Sequence, residues 1–137
     1  DIFLKEMKLL SLTANINAVP KVINRTNNEI TMEYRGESLY NDFSLPKDWK
    51  EQITRIFSEF DRQNINYPEF RLQNILVQRG KISFCDFGLA KFTINGDNSE
   101  NLKKFIHYLS LLEVKFKEVK DLDARHRLIS TFLKNVI

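Results

Sequence analysis

The chain has 137 residues, 42% hydrophobic and 28% charged. This predicts one globular domain, because chains divide into separate cores only well beyond such a length. Twenty-one Lys and Arg against 18 Asp and Glu leave +3, too small an excess to argue for a nucleic-acid partner. The lone cysteine, Cys85, excludes an internal disulfide framework and points to a reducing, cytoplasmic setting, and no apolar run has the length of a membrane span.

In chain order, residues 2–14 read as a short helix with Phe3, Met7 and Leu10 on one face. Strand-like segments at 19–24 and 29–34 flank the turn chemistry of Arg25-Thr26-Asn27-Asn28. Alternation of Ile30, Met32 and Tyr34 predicts one buried face. Pro46 opens a helix to about Gln63, with Trp49, Ile53, Ile56, Phe57 and Phe60 as its apolar stripe. Periodicity then fails, and 65–73 reads as a loop. Strands at 74–78 and 81–85 are joined by Arg79 and Gly80 in a tight hairpin. After an irregular stretch, Asp97-x-x-Glu100 resembles a capping box. It opens a helix over 98–119 whose buried face comprises Leu102, Phe105, Ile106, Leu109, Leu112, Phe116 and Val119. Asp121 and Asp123 mark the start of a last helix, carrying Leu128, Ile129 and Phe132. The class is α+β, mostly helical, with two small hairpins.

Chemistry concentrates between Tyr67 and Lys91. A carboxylate, Glu69, and a cation, Arg71, sit two apart in a loop. Asn74 enters a strand, and the hairpin returns the chain so that Asp86, at the end of the paired strand, comes near Asn74. An amide oxygen and a carboxylate at paired strand ends make a hard-oxygen site suited to Mg²⁺, which takes one or two protein carboxylates plus waters and substrate phosphates. Phe87 is placed to pack beneath it. The four glycines, at 36, 80, 88 and 96, lie too far apart to build a phosphate-cradling loop. His107 lies beside core positions and is expected to be partly buried, and His126 to lie at the surface. Two distant histidines and one cysteine give a zinc site no support.

The order Glu69, x, Arg71, x, x, Asn74, then a hairpin, then Asp86-Phe87-Gly88 resembles the catalytic and magnesium loops of the protein-kinase-like superfamily. It is most similar to the short atypical members of RIO and KEOPS-associated type. The resemblance implies a kinase-like fold over 1–137, with 1–34 a remnant small lobe and 35–137 the large lobe. Glu6 would lie on the regulatory helix. Met32 to Leu39 would form the hinge, where backbone groups of Glu33, Tyr34 and Arg35 meet the adenine of ATP. Asn74 and Asp86 would hold Mg²⁺, Glu69 would orient a Ser or Thr hydroxyl, and Arg71 would offset charge on the transferring phosphate.

Several positions depart from that pattern. Tyr67-Pro68-Glu69 stands where relatives carry His-Arg-Asp or His-Gly-Asp, and Arg71 where many carry Lys. Asn101 falls where relatives tend to carry an Asp that braces the catalytic loop. Only Asp1 to Lys5 precede Glu6, so a glycine-rich loop and strand lysine are not found before it. Two functions follow from the resemblance. One is an ATP- and magnesium-dependent phosphotransferase; the other is a pseudokinase that binds nucleotide or docks a protein. A small-molecule kinase of the aminoglycoside or lipid type shares the same loops. An uncovered small-lobe side would serve a docking partner or self-association.

Overall fold

The computed structural model describes residues 14–87, 89–93, 97–117, 119 and 121–136. The helix expected at 2–14, with Glu6, lies outside these residues apart from Ala14, which is in a turn. Among the described residues the elements run β1 (Val22–Arg25), β2 (Ile30–Met32), β3 (Glu37–Ser38), α1 (Trp49–Arg62), β4 (Ile65–Asn66), a 3₁₀ turn (Leu72–Asn74), β5 (Ile75–Gln78), β6 (Lys81–Phe84), β7 (Lys91–Phe92), α2 (Ser99–Phe116) and α3 (Leu122–Val136). Helices and small antiparallel sheets make this an α+β chain, the class expected. No helix among the described residues is long and apolar enough to cross a membrane.

Helix α1 forms where its stripe predicts it, because Trp49, Ile53, Ile56, Phe57 and Phe60 recur on one face and are all buried. Pro46 stands just before it in a turn, its carbonyl accepting from the Trp49 N–H at 3.2 Å. Asn64, at φ 58°, ends it in the left-handed region that Asn tolerates. Gln52 is buried on the same face and is polar for a reason. Its amide nitrogen donates to the Gly80 carbonyl at 2.7 Å, and its oxygen accepts from the Ile82 N–H at 2.8 Å. One side chain therefore clamps the β5–β6 turn onto the helix.

That turn is Arg79-Gly80, with φ of 53° and 74°, so both central residues take the left-handed conformation a two-residue hairpin requires. Strand β6 is buried at Ile82, Ser83 and Phe84. On the other side β5 pairs with β3, in register Glu37↔Val77 and Ser38↔Leu76. Sequence periodicity does not reveal β3, nor β4 and β7, which pair as Ile65↔Phe92 and Asn66↔Lys91. Both β4 and β7 fall in stretches expected to be irregular, since two residues are too few to display alternation.

The core is aromatic. Tyr67 packs against Phe57, Phe60, Phe84, Phe87 and Phe105 with ring centroids 5.3–6.5 Å apart. Helix α2 contributes Phe105, Leu109, Leu112 and Phe116 as its buried face, while Leu102 and Ile106 pack at its margin.

Four expectations are corrected. The β1–β2 hairpin is shorter than expected and has no fully buried face: Ile30 and Met32 are half-buried, every residue of β1 is exposed, and Tyr34 is 67% exposed. His107 is exposed, because it lies a full position off the α2 stripe. His126 is half-buried and stacks on Tyr40 at 5.2 Å, since α3 packs that face inward. Finally, α2 starts at Ser99 with Asn98 in the capping position. Asp97 instead accepts from the Ser99 N–H at 2.9 Å. That bond, followed by one from the Ser99 side chain, holds the Asp97 carboxyl below its usual range.

Gly36 links β2 to β3 at φ 97°, and a Cβ there would meet the Val77 carbonyl oxygen at 2.0 Å. Gly36→Ala is expected to cost at least about 2 kcal/mol in urea unfolding. Gly80→Ala, whose Cβ would meet nothing within 4 Å, should lose only the milder backbone term.

Candidate functional site

The loop after β4 is fixed by alternate burial. Tyr67, Phe70 and Leu72 are buried, whereas Glu69 and Arg71 retain side-chain exposures of 29% and 49%. Phe70 is wedged against Phe105 and Tyr108 at 5.1 and 5.2 Å. Anchoring at 70 and 72 therefore leaves Glu69 and Arg71 on one side, their charged groups 3.7 Å apart. A partly exposed contact of that length is worth little, so neither group is locked away from a ligand.

Two hydrogen bonds from Tyr67 hold this loop in place. Its N–H donates to Asn98 Oδ1 at 2.9 Å, and its hydroxyl donates to the Cys85 carbonyl at 2.6 Å. Asn98 is 1% exposed. Its amide nitrogen donates to Asp61 Oδ1 at 2.7 Å and to the Ile65 carbonyl at 2.8 Å, and its own N–H donates to the same Asp61 oxygen. Asn98 braces the loop. Asn101 stands behind it, donating to Asn98 Oδ1 at 3.0 Å. Lys104 adds a further tie by donating to the Pro68 carbonyl.

At the strand ends, the Asn74 carbonyl accepts from the Cys85 N–H at 3.0 Å, so Asn74 faces the residue directly before Asp86. Asp86 is exposed and sits at φ 62°, between fully buried Phe84 and Phe87. The rings on either side fix the backbone, and the turn is made at Asp86, a residue type that tolerates it. Asn74 is 7% exposed and its Nδ2 lacks a hydrogen-bond partner, as does Oε1 of neighbouring Gln73. Buried amide groups left unbonded are uncommon and call for a water, an ion or a functional role.

The segment 33–35 contacts the same hairpin further along β6. Arg35 donates to Ser83 Oγ at 3.3 Å, to the Asn17 carbonyl at 2.7 Å and to Glu33 Oε1 at 2.5 Å. The Glu33 carboxylate also accepts from the Lys21 N–H at 2.8 Å. The Arg35 hydrogen bond, then the Lys21 N–H, hold the Glu33 carboxyl below its usual range. Glu37, accepting from the Tyr34 hydroxyl at 3.2 Å, pushes that phenol upward. The Glu33 N–H bonds to the Lys21 carbonyl at 2.9 Å. Among the described residues, the backbone groups of Tyr34 and Arg35 make no such bond.

Glu69 thus lies with Arg71, and Asn74 beside Cys85–Asp86, with the Tyr67 hydroxyl joining the two groups. Glu33, Tyr34 and Arg35 reach the hairpin through the Arg35–Ser83 bond to β6 and through the adjoining β3, which pairs with β5. Among the described residues no three His, Cys, Asp or Glu side chains converge on a metal-binding point. Of the two residues expected to hold a metal, Asn74 is buried with its Nδ2 unpartnered and Asp86 is exposed, on adjoining strand ends. Asn98 and Asp61 escape sequence reading because their bonds span long separations with no local pattern; only the run Asp97-Asn98 at a helix start marks the place.

No family model matches the chain. It is similar to developmentally-regulated protein kinase 1 of Dictyostelium discoideum, 28% identical over 89 residues covering 58% of this chain and 12% of that protein. The similarity supports a kinase-like relationship over part of the chain, and the chain spans a small fraction of that kinase's length.

Removing the brace should be costly. Asn98→Ala leaves the buried Tyr67 N–H and Ile65 carbonyl without their side-chain partners, and is expected to lower unfolding free energy by about 3 kcal/mol. Asn101→Ala should cost under about 1 kcal/mol, and equal losses in chemical denaturation would assign the brace wrongly. The Glu33 contacts carry a pH dependence. Because its folded pKa is depressed, their contribution is complete above the unfolded glutamate value and fades as pH falls through the lower folded value. Hydrogen exchange at the Lys21 amide should quicken over that acidic window in the wild type, with the pH dependence absent in Glu33→Gln.

Proposed function

We propose that this chain is a minimal kinase-like domain, with 1–34 as a remnant small lobe and 35–137 as the large lobe, that transfers phosphate from ATP to a Ser or Thr hydroxyl. The observation carrying this reading is the bond from the Cys85 N–H to the Asn74 carbonyl, which puts the residues of two oxygen donors side by side at the hairpin end. The partial similarity to a protein kinase supports it. In this reading Asn74 and Asp86 hold Mg²⁺, and backbone groups at Tyr34 and Arg35, with the Glu33 carbonyl, hold adenine. The cation, when bound, neutralises charge on the phosphates.

The chain's own residues do the remainder. Glu69 accepts a hydrogen bond from the acceptor hydroxyl and takes its proton as the new O–P bond forms and the bond to the ADP oxygen breaks. Arg71, half-exposed beside Glu69, offsets charge that develops on the phosphoryl oxygens. The hydrogen bond from the Tyr67 hydroxyl to the Cys85 carbonyl ties the loop that carries Glu69 to the strand end before Asp86, and catalysis of this kind depends on positioning. A reducing, cytoplasmic setting suits the half-buried thiol of Cys85 beside the site.

A second reading, a nucleotide-binding or docking pseudokinase, draws on the Glu69–Arg71 contact, which partly neutralises the only carboxylate of that loop. It draws also on Ile23 and Tyr34, each 67% exposed on the hairpin side, as a surface for a protein partner or a second copy.

A thermal melt with and without Mg-ATP, followed by radiolabel transfer from ATP, separates these readings. Saturating ligand at 100 times its dissociation constant adds about 2.7 kcal/mol, a shift of several degrees. The phosphotransferase reading expects that shift plus transfer that disappears in Asp86→Ala. A shift without transfer selects the pseudokinase, and absence of any shift overturns nucleotide binding altogether.

A further inference from the structure

Away from the Asn74–Asp86 end of the hairpin, the turn at 15–18, the start of β6 and one face of α1 enclose a concavity of about 520 Å³. That volume is in the range of small-molecule sites. Its walls are held by specific bonds. The Phe84 N–H donates to the Ala18 carbonyl at 2.8 Å, and the Lys21 ammonium donates to the Ala14 and Ile16 carbonyls at 2.5 and 2.8 Å. Arg35 joins the turn to β6 through Asn17 and Ser83.

The charges around it are unequal in their commitments. Arg35 is paired with Glu33, and Glu59 is paired with Arg62. Arg55 and Lys81 also line the concavity, and among the described residues neither has a carboxylate partner. Ile56 and Ile82, 6% and 3% exposed, line the same concavity and supply an apolar floor. Glu59 would repel an anion if it were free, but the Arg62 contact offsets its charge.

We propose that this concavity binds a small organic phosphate, its anion between Arg55 and Lys81 and its apolar body on Ile56 and Ile82. Two cations without carboxylate partners supply charge-assisted donors for phosphate oxygens. The adjoining apolar floor favours an ester with an organic group over the bare ion. Arg35 borders both this concavity and the proposed adenine contacts, but the anion and apolar groups invoked here lie on α1 and β6, and the proposal does not depend on the nucleotide reading.

The probe is phenyl phosphate, titrated into the full chain and followed by amide NMR, with inorganic phosphate and phenol as the arms that isolate anion and ring. The expected result is saturable shifts concentrated at 15–18 and 81–83, with phenyl phosphate binding more tightly than either arm. The Arg55→Gln, Lys81→Gln double variant, altered at exposed positions, should bind about tenfold more weakly or worse. Absence of saturable shifts, shifts centred on 67–74 and 85–87, or unchanged affinity in a folded double variant would overturn the proposal. If the double variant does not fold, the wild-type shift map decides alone. Equal affinity for inorganic phosphate would refute the apolar half of the site, and with it the ligand class.

Discussion

Tyr67 carries the constraint on which the rest of this structure depends. Its ring sits inside the aromatic core contributed by α1, β6 and α2, and its two polar ends reach in different directions. The N–H engages Asn98 at the start of α2, and the hydroxyl engages the carbonyl just before Asp86. Such a residue converts hydrophobic burial into positional accuracy. The core holds the ring, and the ring holds two loops that are otherwise distant in sequence. A phenylalanine would fill the same space but leave the Cys85 carbonyl without this partner.

The conformation of Asp86 follows from the same packing. With Phe84 and Phe87 both buried to 0% exposure, the intervening residues must absorb the change of direction, and Asp86 does so in the left-handed region. Asp86 is thereby kept at the surface rather than carried inward with its neighbours. Asn74, at the adjoining strand end, is buried with an unpartnered amide nitrogen. The kinase-like reading rests on this arrangement and on similarity confined to part of the chain.

Legibility in the sequence followed the length scale of each interaction. The α1 stripe and the faces of α2 were readable because helical periodicity repeats one choice many times over. The β5–β6 hairpin was readable because Arg79-Gly80 lies between two alternating runs. Strands β3, β4 and β7 were not, since each has two residues and is defined by its partner. The pairing of Asn74 with Cys85, the residue before Asp86, follows from hairpin geometry alone. By contrast, Asn98 reads locally as a helix cap, and its real partners, Asp61, Ile65 and Tyr67, lie more than thirty positions away. Gln52 breaks the apolar stripe for a similar reason, bonding to a turn that is remote in sequence. The exposure of Tyr34 and β1 shows the converse: alternation reports a preference for burial, which needs a second layer to be met.

Paramagnetic broadening of amide resonances on titration with Mn²⁺, a substitute for Mg²⁺, bears most directly on whether Tyr67 assembles a single cation site. The account predicts that amides at 69–71, at Asn74 and at Cys85–Asp86 broaden together at substoichiometric metal, and that Tyr67→Phe uncouples the first group from the others. Broadening scattered over the exposed acidic residues, or confined to one loop in the wild type, would contradict it.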